Sequence, residues 1–282
     1  MKAVNVKTLI SLKKILFATD FSSAAGAALP YALEIARRYG ATVCAVHVRG
    51  RSNNAHKTQA QQETDRLNED MRSIPHEVVI REGDVRDTVL NLISEKGIDL
   101  VVAGTHGRTG LSKALLGSVA EAIFREAPCP VLTVGPGVAA APPWNLRMHE
   151  ILYATDLTPE SLAALPYAIS LAEENQARLT ILTVTPAPRV GDLVDSEQYV
   201  ASTLRQLHEL IPPAAEISCE PNLVVEQGDA ADKILDVANR YHADVIVLGV
   251  RQAHGPVGTH LGRRTAYKVV IDAAVPVLTV RG

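Results

Sequence analysis

Three cysteines in 282 residues, none in a CxxC pair, exclude a disulfide framework and a cysteine-built zinc site. Cys44 sits in an apolar run and reads as a small core residue. Aromatic residues make up 4% of the chain, too few for a base-stacking surface. No apolar run approaches the roughly 18 residues of a membrane span, and the best, Val245-Ile-Val-Leu248, has the length of a strand. The apolar patch Thr8-Leu-Ile10 is bracketed by Lys7, Lys13 and Lys14 with no small-residue cleavage site after it. It does not read as a signal peptide, and the expected location is cytoplasmic. A charge excess of one sign is also missing. The net charge is −3; residues 1–141 carry 17 basic and 14 acidic side chains, residues 142–282 carry 11 and 17. Neither half has the basic footprint of a nucleic-acid partner.

What is present is a repeat. Lys14-Ile-Leu-Phe-Ala-Thr-Asp20 recurs as Glu150-Ile-Leu-Tyr-Ala-Thr-Asp156, and Leu29-Pro-Tyr-Ala32 as Leu165-Pro-Tyr-Ala168. Gly83-Asp84 matches Gly228-Asp229, Asp99–Gly104 matches Asp244–Gly249, and each unit closes on Pro-Val-Leu-Thr-Val, at 130–134 and 276–280. The chain is a tandem duplication. Gly135-Pro-Gly137 and Ala139-Ala-Ala-Pro-Pro143 mark the joint. The expected domains are 1–141 and 142–282, each long enough to bury its own core.

Within the first copy the hydrophobic period alternates. Strands are expected near 14–19, 42–48, 76–82, 100–104 and 131–134, and helices near 23–39, 58–72, 86–96 and 117–126. The runs Val43–Val48 and Leu100–Ala103 are nearly continuous, as in a parallel sheet covered by helices on both faces. The pattern predicts an α/β fold with right-handed crossovers, repeated in the second copy. The helix near Gln59–Met71 has sparse apolar positions and is expected at the periphery.

Ligands of such sheets sit beyond the carboxyl ends of the strands. There the first copy places Asp20, His47-Val48 and Gly104-Thr-His-Gly107, then nine residues to Gly117-Ser118. Glycines let the backbone turn and approach a ligand, while Gly117-Ser118 opens a helix whose free N–H groups favour phosphate. One helix-end charge effect is worth only about 0.3–1 kcal/mol, so several donors must combine to hold a polyphosphate.

On these residues the chain, from Lys13 to Val280, resembles the universal stress protein family in its tandem-domain form. The first copy carries the pattern G-x2-G-x9-G-[S/T] as Gly104, Gly107 and Gly117-Ser118, with the opening Ala18-Thr19-Asp20. The resemblance implies two tandem Rossmann-like domains of the adenine nucleotide alpha hydrolase-like type. Each would hold a five-stranded parallel sheet in the order 3-2-1-4-5, with the last strands pairing the domains as an internal pseudo-dimer. It also implies ATP binding, with Mg²⁺ or Mn²⁺ accompanying the nucleotide. By position, Val48 would meet adenine through its backbone and Asp20 would lie by the ribose, with Ala18 and Thr19 also among the cofactor-binding positions. Ala103, Gly104, His106, Gly107 and Arg108 would line ribose and phosphates, and Gly117, Ser118 and Val119 would hold phosphates.

The second copy departs from the pattern: Gln252 replaces the second glycine and Arg263 the serine. Gln252 would take space that a phosphate needs, and Arg263 either fills the anion site or grips a phosphate. The second copy is expected not to hold ATP tightly. His254 and His260 read as exposed loop histidines rather than metal ligands, since spacing fixes no third ligand. The polar stretch Arg49–Lys57 reads equally as a lid or a solvated loop.

Three functional readings follow. The first is a nucleotide-dependent regulatory or stress-response protein, for which the resemblance allows slow ATP hydrolysis or autophosphorylation, homodimers and a protein partner. The second is a dedicated ATP-consuming enzyme, against which stand the absent Walker A loop and the absent glycine pair after the first strand. The third is a protein-binding scaffold without nucleotide. The first is the reading adopted. No catalytic residue and no protein metal site are assigned.

Overall fold

A computed structural model describes residues 10–49, 57–105, 116–138, 147–186, 196–212, 220–250 and 261–282. The chain divides into two compact units, one of Ser11–Leu146 and one built from Arg147–Gly282. In the first, β1 (Lys14–Ala18), α1 (Ser23–Tyr39), β2 (Thr42–Arg49), α2 (Lys57–Met71) and β3 (His76–Glu82) are followed by α3 (Val85–Lys96), β4 (Leu100–Gly104), α4 (Ser118–Glu126) and β5 (Val131–Val134). β1 lies between β2 and β4, with β3 outside β2 and β5 outside β4, all parallel. The order is therefore 3-2-1-4-5, and the switch point falls between β1 and β4.

Burial explains the apolar runs. Ile15, Leu16 and Phe17 of β1 and Leu100 to Ala103 of β4 are all at most 3% exposed, so both faces of the central strands are covered. Side chains alternate across the sheet. Leu16, Val46, Val101 and Ala103 pack with Val89 and Ile93 of α3 and Ile123 of α4 in one cluster. Each such side chain contributes roughly 1.5–3 kcal/mol on burial. Cys44 belongs to this cluster, and burial, with Glu77 beside it, pushes its thiol up to about 12. It is the inert core residue expected from its context.

The repeated aspartates seat the elements. Asp99 accepts from the backbone N–H groups of Lys13 and Lys14 at 2.8 and 2.9 Å, fixing the entry to β1. Asp84 caps α3 by accepting from Asp87 N–H at 2.9 Å. α2 departs from expectation in one respect. It packs on β3, yet Thr64, Leu67 and Met71 form a buried stripe at helical spacing. Three positions suffice because the helix covers only one edge of the sheet.

The second unit contains β6 (Glu150–Ala154), α5 (Pro159–Leu162), α6 (Leu165–Asn175), β7 (Arg178–Thr185) and α7 (Ser196–Glu209), then β8 (Asn222–Gln227), α8 (Ala230–Arg240), β9 (Val245–Val250), α9 (Leu261–Asp272) and β10 (Val277–Arg281). Its parallel order is β8-β7-β6-β9-β10, the same topology. Asp244 and Asp229 repeat the bonds of Asp99 and Asp84. The plan is broken once: the counterpart of α1 is split into α5 and α6. Pro166 has no N–H for the carbonyl of Leu162, and its ring opposes that carbonyl. In α1 the residue four before Pro30 is Gly26, whose backbone has the latitude to continue.

Candidate functional site

At the carboxyl end of β1 the chain makes a tight turn. Thr19 N–H donates to Val46 O at 3.0 Å, Phe21 N–H to Thr19 Oγ1 at 3.0 Å, and Ser22 N–H to Asp20 Oδ1 at 2.9 Å. Ser22 in turn caps α1 by accepting from Ala25 N–H. The turn holds Phe21 at φ 61°, an uncommon conformation for a bulky residue. Two contacts brace it. His47 Nδ1 lies 2.9 Å from Thr19 O; a carbonyl only accepts, so Nδ1 carries the proton. The His47 ring packs against Phe21 with centroids 4.6 Å apart. His47 therefore positions the turn. Sequence reasoning missed Phe21, although its place directly after Asp20 could have drawn notice.

The end of β4 is tied to the start of α4. Thr105 N–H donates to Val134 O at 3.0 Å, and Gly117 N–H donates to Thr105 O at 2.8 Å. Gly117 is the N-cap of α4 and provides no side-chain cap. The first intrahelical bond runs from Glu121 N–H to Gly117 O, so the N–H groups of Ser118, Val119 and Ala120 lack intrahelical acceptors. An ion pair of 2.6 Å between Arg86 of α3 and Glu126 of α4 steadies that helix.

The register sets Ala18 level with Val46 and Ala103. Ala18, Val48 and Val119 are half-buried and pack on the cluster that contains Ala103. Ala18, Val48, Ala103 and Val119 thus belong to one packed cluster. His106, Gly107 and Arg108 lie outside the described residues. Gly104 has a packing role. A Cβ there would stand 2.7 Å from the backbone carbon and oxygen of Ala24, so its bareness admits the start of α1. Among the described residues no three His, Cys, Asp or Glu side chains gather as a metal site, and no helix is long and apolar enough to cross a membrane.

The second unit builds the same turn from Thr155, Asp156, Leu157 and Thr158. Leu157 has φ 63°, and Asp156 Oδ1 accepts from Thr158 N–H at 3.1 Å. Thr183, at the position of His47, donates from Oγ1 to Thr155 O at 3.0 Å. Beneath, Tyr153 donates its hydroxyl to Ser161 O at 2.9 Å, and burial raises its pKa. Gly249 repeats the close approach, its Cβ position being 2.3 Å from Ser161 Cα. A cavity of about 120 Å³ is lined by residues including Ala154, Asp156, Val184, Ala230, Leu248 and Thr265. These stand where the first copy has Ala18, Asp20, Val48, Val85, Ala103 and Ala120. Gln252, His254 and His260 lie outside the described residues. Arg263 falls within α9, whose first turn includes Gly262, whereas Gly117 precedes α4.

A doubly wound parallel sheet with a small cavity at its switch point defines a class of α/β fold. The profile of the Universal stress protein family matches residues 11–135 and again 148–281, and the chain belongs to that family as a tandem of two copies. A universal stress protein of Methanocaldococcus jannaschii is 30% identical over 138 residues, 43% of this chain and 81% of that protein. Two solved structures cover 96% of this chain. A functionally unknown protein from Pseudomonas aeruginosa PAO1 has a TM-score of 0.68 at 20% identity, with 92% of its own chain covered. A universal stress protein from Archaeoglobus fulgidus DSM 4304 has 0.66 at 19%, with 99% covered. At those identities the likeness is one of fold.

Proposed function

We propose that the first copy binds ATP and that its nucleotide state serves a regulatory, stress-response role. The observation that carries this reading is the start of α4. Three first-turn N–H groups without intrahelical acceptors are held against the end of β4 by the Gly117–Thr105 bond, and the N-cap residue, a glycine, brings no side chain to cap them. That donor set fits an anion, which the helix dipole also favours. The Val48 backbone at the end of β2 offers the adenine hydrogen bonds, and Ala18 and Ala103, level in the register, line the site by the ribose. Thr19 and Asp20 lie at the ribose, with Gly104 and the loop residues His106, Gly107 and Arg108 completing the ribose and phosphate side. Gly117, Ser118 and Val119 take the phosphates. ATP supplies a charged tail and a flat base, so one ligand joins the α4 start to the β1 turn. Mg²⁺ or Mn²⁺ would be held by the phosphates rather than by a cage of side chains.

The second copy, with Gln252 and Arg263 at the pattern positions, is proposed not to hold ATP tightly. The test is nucleotide stoichiometry. Protein purified without added ligand is denatured, the released nucleotide is identified by chromatography, and ATP is titrated into the stripped protein by calorimetry. One ATP per chain is expected. Two would overturn the asymmetry, and none would overturn the reading. Gly117→Glu sets a carboxylate where phosphate belongs and is expected to weaken ATP binding by at least about 100-fold. Unchanged affinity would move the site elsewhere.

A further inference from the structure

A second cavity, of about 380 Å³, lies in the second unit and shares Asp156 and Val184 with the smaller one. Its volume lies within the usual range for small-ligand pockets. Its origin is visible in the comparison of copies. Leu157 and Thr183 line it, and they occupy the positions of Phe21 and His47, whose packed rings brace the same turn in the first copy. Thr183 keeps the bond to the turn carbonyl that His47 makes, at 3.0 Å against 2.9 Å, with a far smaller side chain. The turn is preserved and the rings are gone.

Acceptors dominate the polarity of this space, with the Gln206 amide carrying both donors and an acceptor. Thr183 donates its hydroxyl proton to Thr155 O, Thr185 to Glu226 O, and both Ser202 and Thr203 to Tyr199 O. A hydroxyl has one proton, so each of these four presents only acceptor lone pairs to the cavity. Asp156 adds a carboxylate, and no Lys, Arg or His is among the described lining residues. Thr183, Thr185 and Thr203 are at most 6% exposed, so these acceptors are built in rather than displayed on the surface. Tyr199, 53% exposed on α7, offers an aromatic face beside them. The surrounding half of the chain, with 11 basic and 17 acidic residues, attracts cations over longer range.

We infer that this cavity is a binding site for a small organic ammonium compound. Its N–H donors would meet the hydroxyl lone pairs, its charge the Asp156 carboxylate, and Tyr199 would add a cation–π contact. Anions are disfavoured here by the same carboxylate. The site is independent of the nucleotide reading for the first copy.

The probe is 1,4-diaminobutane, titrated into the full chain by calorimetry at low salt, with glycerol and inorganic phosphate as neutral and anionic comparisons. Saturable binding of one diamine per chain, with neither comparison binding, is expected. Asp156→Asn should weaken it at least 10-fold. Leu157→Phe with Thr183→His rebuilds the ring pair of the first copy and should abolish diamine binding. If that double variant does not fold, judged by circular dichroism, Ser202→Lys places a tethered ammonium at the half-buried α7 position and should block the probe. Absence of saturable diamine binding, preference for glycerol or phosphate, or affinity unaltered in the folded cavity variants would each overturn the proposal.

Discussion

In the first copy, Phe21 and His47 fill the space beneath the β1 turn. In the second copy, Leu157 and Thr183 stand at those positions and a cavity opens. Around this difference almost everything is held constant: the positive φ of 61° and 63°, the Asp bond inside the turn, and the bond to the turn carbonyl. Features kept in both copies therefore report what the fold requires. Asp99 and Asp244 fix strand entry, Asp84 and Asp229 cap helices, and Gly104 and Gly249 admit a neighbouring helix. Retention of Gly249 is thus no sign of a retained nucleotide site. The informative positions are those where the copies part.

The glycines test this division most severely. A Cβ at Gly249 would meet backbone atoms of Glu160 and Ser161 at 2.3–2.6 Å, and one at Gly104 would meet those of Ala24 and Ala25 at 2.7–2.9 Å. Backbone cannot swing aside as a flexible side chain does, so Gly249→Ala should cost about 3 kcal/mol and Gly104→Ala about 2 kcal/mol. Urea unfolding of each variant checks both values and their order. Equal, negligible losses would show that the close approach does not require glycine.

The ring pair comes next. Phe21→Leu with His47→Thr imports the second copy's residues into the first and should cost about 1–3 kcal/mol through the cavity left behind. The turn itself should survive, because Thr183 shows that a hydroxyl at that position satisfies the carbonyl. ATP affinity of the double variant separates the two roles. A fall of less than about 5-fold would mean that the rings only brace the turn, and a larger fall would place them in the site.

Much of this was legible in the sequence because it rests on local periodicity. The strand and helix limits of the first copy, such as β3 at 76–82 and α1 at 23–39, follow from apolar runs bounded by turn residues. The split of α1's counterpart was harder to read, since Leu165-Pro-Tyr-Ala168 repeats faithfully and only the exchange of Gly26 for Leu162 distinguishes the copies. The buried stripe of α2 was undervalued because Thr64 is polar and Leu67 and Met71 are few. At the site, the residue types after each strand were readable, but their physical roles were not. That Gly104 faces a helix, and that Phe21 packs on His47, are tertiary facts with no local signature.

The smallest expected effect concerns a pair whose charges are exchanged between copies. Arg81 of β3 lies 3.7 Å from Glu95 of α3, while at the matching positions Glu226 of β8 lies 2.6 Å from Arg240 of α8. If the position requires only opposite charges, Arg81→Glu alone should cost about 0.5 kcal/mol, and adding Glu95→Arg should recover it. The reciprocal exchange in the second copy should recover less, because Glu226 also meets Lys233 at 3.4 Å, which would then face a guanidinium. Acid should likewise discriminate. The Arg240 guanidinium, aided by Lys233, holds the Glu226 carboxyl below its usual range. Its stabilising contribution is therefore complete above the ordinary carboxylate pKa and is lost as pH falls through the lower folded value. Glu226→Gln should accordingly lower the thermal midpoint at neutral pH, and that difference should vanish in strong acid. A deficit that persists unchanged at low pH would show that packing, not charge, makes the second copy's version of the pair the tighter one.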